Sequence, residues 1–238
     1  MRLPWLEDLE GVFPPVAAAC SEPNGLLCAG GDLSPHRLLA AYQHGVFPWF
    51  EDDQPILWWS PDPRMIIELA NFKPSRSLTK LLRRGVFHVS VDTCFSDVIE
   101  ACAAPRGADA GTWITAEMQA AYCDLWALGH AHSIEVWEGD ALVGGLYGIA
   151  IGHQFFGESM FSRASNASKV GLATLATQLD RWGFEFIDCQ VANPHLESLG
   201  AIEIPRAAFI ARIASTCERA RTPGHWALDA DLGGGVKP

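Results

Sequence analysis

Two carboxylates and a carboxamide stand inside strongly apolar, strand-like runs late in the chain. Glu158 lies in Phe156-Gly157-Glu158-Ser159-Met160-Phe161-Ser162, and Asp188 and Gln190 lie in Phe186-Ile187-Asp188-Cys189-Gln190. Acidic side chains rarely enter apolar surroundings without a partner or a task. Asp188 and Gln190 are two apart, so a strand turns both to one face. A proton acceptor beside an orienting amide, against apolar walls, can deprotonate and position an amine. The competing account is that backbone donors at strand ends satisfy these groups. Cys189 falls between the two polar residues and faces the other way, as core rather than nucleophile.

A second constellation is cationic. Lys73, Arg76, Lys80, Arg83 and Arg84 follow one another with no acid between Glu68 and Asp92. Arg76, Lys80, Arg83 and Arg84 share one face of a helix over 76–84, with Leu78, Leu81 and Leu82 opposite. Such a face binds phosphates, or it is the solvated side of an amphipathic helix. The sequence leaves both open. Trp49, Trp58, Trp59 and Trp113 could stack on a base or pack in a core. Gly111-Thr112-Trp113-Ile114-Thr115 reads as a loop entering a capped helix, a usual ligand position. Glycines 144, 145 and 148 interrupt a strand and mark a bulge or the close approach of a ligand. A serine hydrolase is poorly supported, because Ser159 lies between Glu158 and Met160 and forms no nucleophile elbow. His195 reads as a helix-start residue, and no metal-ligand spacing is present.

These groups need elements to hold them. Residues 1–62 read as a small irregular lobe rich in Trp, Pro and Gly. It has one convincing helix, with Ser34 as N-cap, Pro35 at the first position, Leu38, Leu39 and Tyr42 as the apolar stripe, and Gly45 at the end. Residues 63–238 alternate helices and strands: strands near 65–67, 87–91, 131–137, 141–151, 154–160, 186–190 and 202–204, and helices at 76–84, 94–103, 116–128, 168–182 and 206–219. The strands at 131–137 and 141–151, joined by Glu138-Gly139-Asp140, form an antiparallel hairpin. Hairpins mixed with crossover helices give an α+β (mixed α/β) domain.

Composition narrows the class. Half the 238 residues are apolar, enough for a core, and the net charge of −11 restricts any nucleic-acid contact to a local patch. Seven scattered cysteines without a C-x-x-C pair argue for a reducing compartment rather than disulfides. No leader-like apolar stretch or span of membrane length is seen. The expectation is a cytoplasmic protein, monomeric by default, with no membrane partner.

Several longer runs resemble the leucyl/phenylalanyl-tRNA–protein transferase family. They are Glu22-Pro23-Asn24-Gly25-Leu26-Leu27, Gly30-Gly31-Asp32-Leu33-Ser34-Pro35, Phe47-Pro48-Trp49-Phe50, Trp58-Trp59-Ser60-Pro61-Asp62-Pro63-Arg64, Gly111 to Thr115, Gly157 to Ser162, Ile187 to Gln190 and Ser198-Leu199-Gly200-Ala201. The resemblance runs in order from about residue 20 to about residue 210 and is weak beyond 220. It implies a C-terminal acyltransferase domain of GNAT type, with a mixed, largely antiparallel sheet, behind the small N-terminal lobe. The implied reaction is transfer of Leu or Phe, Met less well, from aminoacyl-tRNA to an N-terminal Arg or Lys of a protein, creating an N-end rule degradation signal. No cofactor and no metal are implied, and the GNAT phosphate-loop pattern is missing after Gln154. For that reaction Asp188, through or beside Gln190, is expected from its chemistry to accept the ammonium proton, and Glu158 to hold the cationic acceptor. The resemblance implicates Trp49 and Trp113 in holding the aminoacyl end and terminal adenosine. Leu146 and Phe155 would line the side-chain pocket, Tyr42 and Gly157 would join the substrate-binding set, and Arg76, Lys80, Arg83 and Arg84 would bind the acceptor stem.

Overall fold

The computed structural model describes residues 3–7, 12–104 and 112–233. Gly111 of the Gly111–Thr115 run lies outside them. Near the N-terminus, β1 (Leu26–Ala29), α1 (Pro35–Gln43), β2 (Phe47–Pro48) and β3 (Leu57–Trp59) follow in order. The strands form a small antiparallel sheet, β1-β3-β2, that the sequence reading of an irregular lobe lacks. Prolines and glycines keep these strands to two to four residues, too short for an alternating pattern to register. The helix matches its signals: Ser34 Oγ accepts from Arg37 N, Pro35 opens α1, and Gly45 sits at φ +73°.

The rest of the chain builds one seven-stranded sheet. Its elements are β4 (Arg64–Glu68), α2 (Arg76–Arg84), β5 (His88–Val91), α3 (Phe95–Ala103), α4 (Ala116–Ala127), β6 (Ala131–Glu138), β7 (Ala141–Ile151), β8 (Gln154–Ser162), α5 (Ala167–Arg181), β9 (Phe186–Gln190), α6 (Pro194–Glu197), β10 (Ile202–Ile204) and α7 (Arg206–Cys217). The strand order is β10-β4-β9-β8-β7-β6-β5. Only β8 and β9 run parallel, so the architecture is mixed α+β with a largely antiparallel sheet.

Alternation along the strands divides the core into two layers. Ile66, Tyr147, Ile149, Phe156 and Phe186 face α1, α3, α4 and α7. Met65, Ile67, Leu146, Phe155 and Ile187 face α2 and α5. Two irregularities then open a site between the layers. β8 and β9 share only two register pairs, Phe155↔Ile187 and Phe156↔Asp188, before they part. In addition, the β7–β8 register jumps from Gly148↔Gly157 to Tyr147↔Ser159, leaving Glu158 as the extra residue of a β-bulge. Gly148 permits this crossing, because a Cβ there would stand 2.2 Å from Phe156 O. The glycine signal in the sequence thus marks a bulge.

Candidate active site

The parting of β8 and β9 leaves a cavity of about 700 Å³. Its apolar wall is Leu146, Phe155, Leu172, Leu175 and Ile187, while Trp113, Gly157 and Glu158 stand around it. A bulge turns a side chain off the regular alternation of its strand. Here it delivers Glu158, partly buried, into the gap.

Three elements reach Glu158. Its Oε1 accepts from Tyr42 Oη of α1 at 2.6 Å and from Gln190 Nε2 of β9 at 2.7 Å. Its Oε2 accepts from Tyr122 Oη of α4 at 3.0 Å. The two phenols also hydrogen-bond to each other. The chain has three tyrosines, and the third, Tyr147, packs edge-on to Tyr122 at 5.5 Å and lines the cavity. Burial drives the Glu158 carboxyl up to about 7; the phenols and Gln190 pull it down, and the charge of Asp188 adds to the rise. Burial also lifts Tyr42 and Tyr122 well above the ordinary tyrosine range, so both remain neutral donors. A carboxyl poised near neutrality in a cavity can exchange a proton with a bound amine.

Asp188 has a different environment from the one the sequence suggested. Its two oxygens receive Arg64 Nε at 2.8 Å and Arg64 Nη2 at 2.7 Å, and both side chains are wholly buried. Arg64 is sandwiched between Phe47 (4.7 Å) and Phe209 (4.6 Å) and donates to Gly45 O. Asp188 Oδ1 also accepts from Gln190 N at 3.0 Å. Arg64 Nε, Arg64 Nη2 and Gln190 N thus occupy three acceptor positions of Asp188, although the residue borders the cavity. Its partner Arg64 stands in the sequence as the last residue of the Trp58–Arg64 run. Gln190 ends β9 at φ +64°, a left-handed conformation uncommon for glutamine. The hydrogen bond from its backbone N to Asp188 holds this turn, and the turn carries its amide to Glu158.

The other sequence assignments separate. Trp113, Leu146, Phe155, Gly157, Glu158 and Asp188 line the cavity. Tyr42 and Gln190 touch it through Glu158. Trp49 is outside the lining, 43% exposed, with its ring tilted against Trp59 at 5.7 Å. Arg76, Lys80, Arg83 and Arg84 are exposed on α2 and line a separate shallow cleft. Leu82, assigned to the buried side of that helix, is 36% exposed. Sequence reasoning missed Tyr122, which lies in α4 without a distinguishing local pattern. It also missed Asn193 and His195 as lining residues. Cys189 lines the cavity too, but burial pushes its thiol far above the ordinary range, which suits a wall rather than a nucleophile. No cluster of metal-ligating side chains occurs among the described residues.

Comparison with known proteins places this arrangement. Residues 66–214 match the family model described as leucyl/phenylalanyl-tRNA protein transferase, and residues 31–62 match the model of that family's N-terminal domain. The leucyl/phenylalanyl-tRNA–protein transferase of Saccharophagus degradans is 57% identical over 208 residues, covering 87% of this chain and 86% of that protein. That of Ectopseudomonas mendocina is 61% identical over 207 residues, covering 87% and 92%. That of Thiobacillus denitrificans is 56% identical over 218 residues, covering 92% and 96%. The chain is an aminoacyltransferase. It belongs to the leucyl/phenylalanyl-tRNA–protein transferase family.

Proposed function

We propose that this chain takes Leu or Phe, and Met less well, from charged tRNA and joins it to the α-amine of an N-terminal Arg or Lys, marking the acceptor for degradation. The observation that carries the mechanism is the carboxylate of Glu158, held by Tyr42, Tyr122 and Gln190 on the wall of an apolar cavity. The aminoacyl ester is already activated, so no nucleotide is consumed. The acceptor α-ammonium, with a reference pKa of about 7.7–8.0, must first lose a proton. Glu158 accepts it. The free amine attacks the ester carbonyl carbon, the peptide bond forms, and the ribose oxygen leaves, taking up the proton the attacking nitrogen sheds. Arg64 and Asp188 act at one remove as positioning residues, fixing the turn that aims Gln190.

The cavity suits the side chain of the donor. Leu146, Phe155, Leu172 and Ile187 offer an apolar wall without charge, and such a wall separates Leu from Phe only modestly, at about 1–3 kcal/mol per methylene. Trp113, a half-buried lining residue, stacks on the terminal base in this reading. Trp49 lies outside the lining and would reach the donor only from the rim. A C-terminal domain of GNAT type starting near residue 63, a monomeric state and a cytoplasmic location complete the proposal. No described helix is long and apolar enough to cross a membrane.

The acceptor stem docks on α2, where Arg76, Lys80, Arg83 and Arg84 stand exposed. Arg83→Glu with Arg84→Glu is expected to weaken tRNA binding. It should also flatten the slope of log affinity against log salt by about 1.4–1.8, since each lost phosphate contact removes about 0.7–0.9. Binding titrations at several salt concentrations check this, and an unchanged slope would make the face mere solvated surface. The function itself is tested by mixing the protein with Phe-tRNA and an Arg-starting peptide. The peptide should gain the mass of one phenylalanyl residue, and an Ala-starting peptide should not.

A further inference from the structure

The segment after α7 carries no chemistry in the account so far, yet it reaches the cavity wall from behind. It lies along the α5 side of the sheet. Gly224 N donates to Gly129 O, Trp226 N donates to Asp92 Oδ2 at 2.7 Å, and Asp229 N donates to Gln178 Oε1 at 2.7 Å. Arg181 of α5 then binds both Asp229 and Asp231. These bonds fix the Trp226 indole. It stacks flat on His132 (3.6 Å between centroids, 10° between planes), and His132 is itself held by Asp92 at 2.8 Å. Trp182 and Phe184 meet the indole on other sides.

The Arg221 guanidinium stands over the indole at 5.4 Å, and Phe155 is a further neighbour at 5.9 Å. Phe155 is 1% exposed and forms part of the cavity wall, and its ring edge also presses on Gly148, where a Cβ would stand 2.6 Å from Cζ. The ring is thus held between the β7 backbone and the Trp226 indole. Packed interiors transmit such constraints, because a ring moves only if its neighbours give. We infer that Trp226 is a specificity-determining positioning residue: through Phe155 it sets the depth of the cavity that reads the donor side chain. This rests on the reading of the cavity as the acyl pocket.

Truncating the indole leaves room behind Phe155, and a receding ring deepens the cavity. A leucyl group then loses packing that the longer phenylalanyl group keeps. In competition between Leu-tRNA and Phe-tRNA, Trp226→Ala is expected to raise the Phe-to-Leu ratio of kcat/KM about fivefold, less than the change brought by altering a pocket residue directly. A donor bearing a para-substituted phenylalanine should improve relative to Phe. Both donors compete for the same folded molecules, so the ratio is insensitive to any loss of folded protein, and a purely structural role would leave it unmoved. Trp226→Phe, which keeps a ring against Phe155, should restore most of the original ratio. Phe155→Ala serves as the reference. If it shifts the ratio and Trp226→Ala does not, the role of Trp226 is overturned while the pocket stands. If Phe155→Ala leaves the ratio unchanged, the pocket reading fails and this inference fails with it.

Discussion

Glu158→Gln is expected to slow peptide-bond formation about a thousandfold, within the range that removal of a positioned acid–base group produces. The substitution keeps the size and shape of the side chain. With its oxygen in the Oε1 position the amide still accepts from Tyr42 and Gln190, and its NH2 can donate to Tyr122 Oη, so the cavity should persist and the loss should fall on kcat. What disappears is the cavity-wall carboxyl that burial raises to about 7. Single-turnover transfer of Phe to an Arg-starting peptide measures this. A tenfold loss carried wholly by KM would instead make Glu158 a binding group for the cationic acceptor, the role its sequence context first suggested.

The second large effect is on stability. Arg64 and Asp188 are both wholly buried, and each is the other's only opposite charge within ion-pair distance among the described residues. Arg64→Ala leaves Asp188 as an uncompensated buried charge and empties the slot between Phe47 and Phe209. Breaking a buried pair in this way costs about 3–5 kcal/mol. At about 2–4 °C per kcal/mol for a chain of this size, Tm should fall by roughly 10 °C. Arg64→Met with Asp188→Asn removes both charges together and should cost less than the sum of the single changes, because the two groups are directly coupled. Thermal unfolding of the four proteins checks the cycle. Strict additivity would mean that the pair does not act as a unit.

Much of this architecture is visible in the sequence, and the reasons are local. Capping residues and periodicity are short-range signals, so Ser34, Ser75 and Thr115 each sit where their helices begin, with the side chain accepting from the backbone N three residues on. The hairpin from Ala131 to Ile151 follows from alternation and a glycine turn. The apolar runs around Glu158 and Asp188 likewise showed that two carboxylates would be buried side by side. What the sequence withholds is pairing across long separations. Arg64 and Asp188 are 124 residues apart, and Tyr122 and Glu158 are 36 apart on different elements. Nothing local says which acid receives the guanidinium and which the phenols. The bulge that re-aims Glu158 depends on a register jump between β7 and β8, of which only Gly148 leaves a trace in the sequence.

The two environments follow a physical logic. A carboxylate paired bidentately with arginine serves geometry. A carboxylate ringed by neutral donors in an apolar wall is left near its balance point and can move a proton. The two sit close enough for the fixed charge of Asp188 to help raise Glu158. The ion pair thus supports the site twice, by turning Gln190 toward Glu158 and by biasing the proton affinity of Glu158.

The most direct test is the pH dependence of single-turnover Phe transfer to an Arg-starting peptide, measured for the parent protein and for Glu158→Gln. A base must be unprotonated to act, so the parent rate should fall as pH drops through about 7, the value to which burial brings Glu158. The residual rate of Glu158→Gln should lack that break, retaining only the one set by the acceptor amine. If the break near 7 persists unchanged in Glu158→Gln, the proton goes elsewhere and the central assignment is wrong.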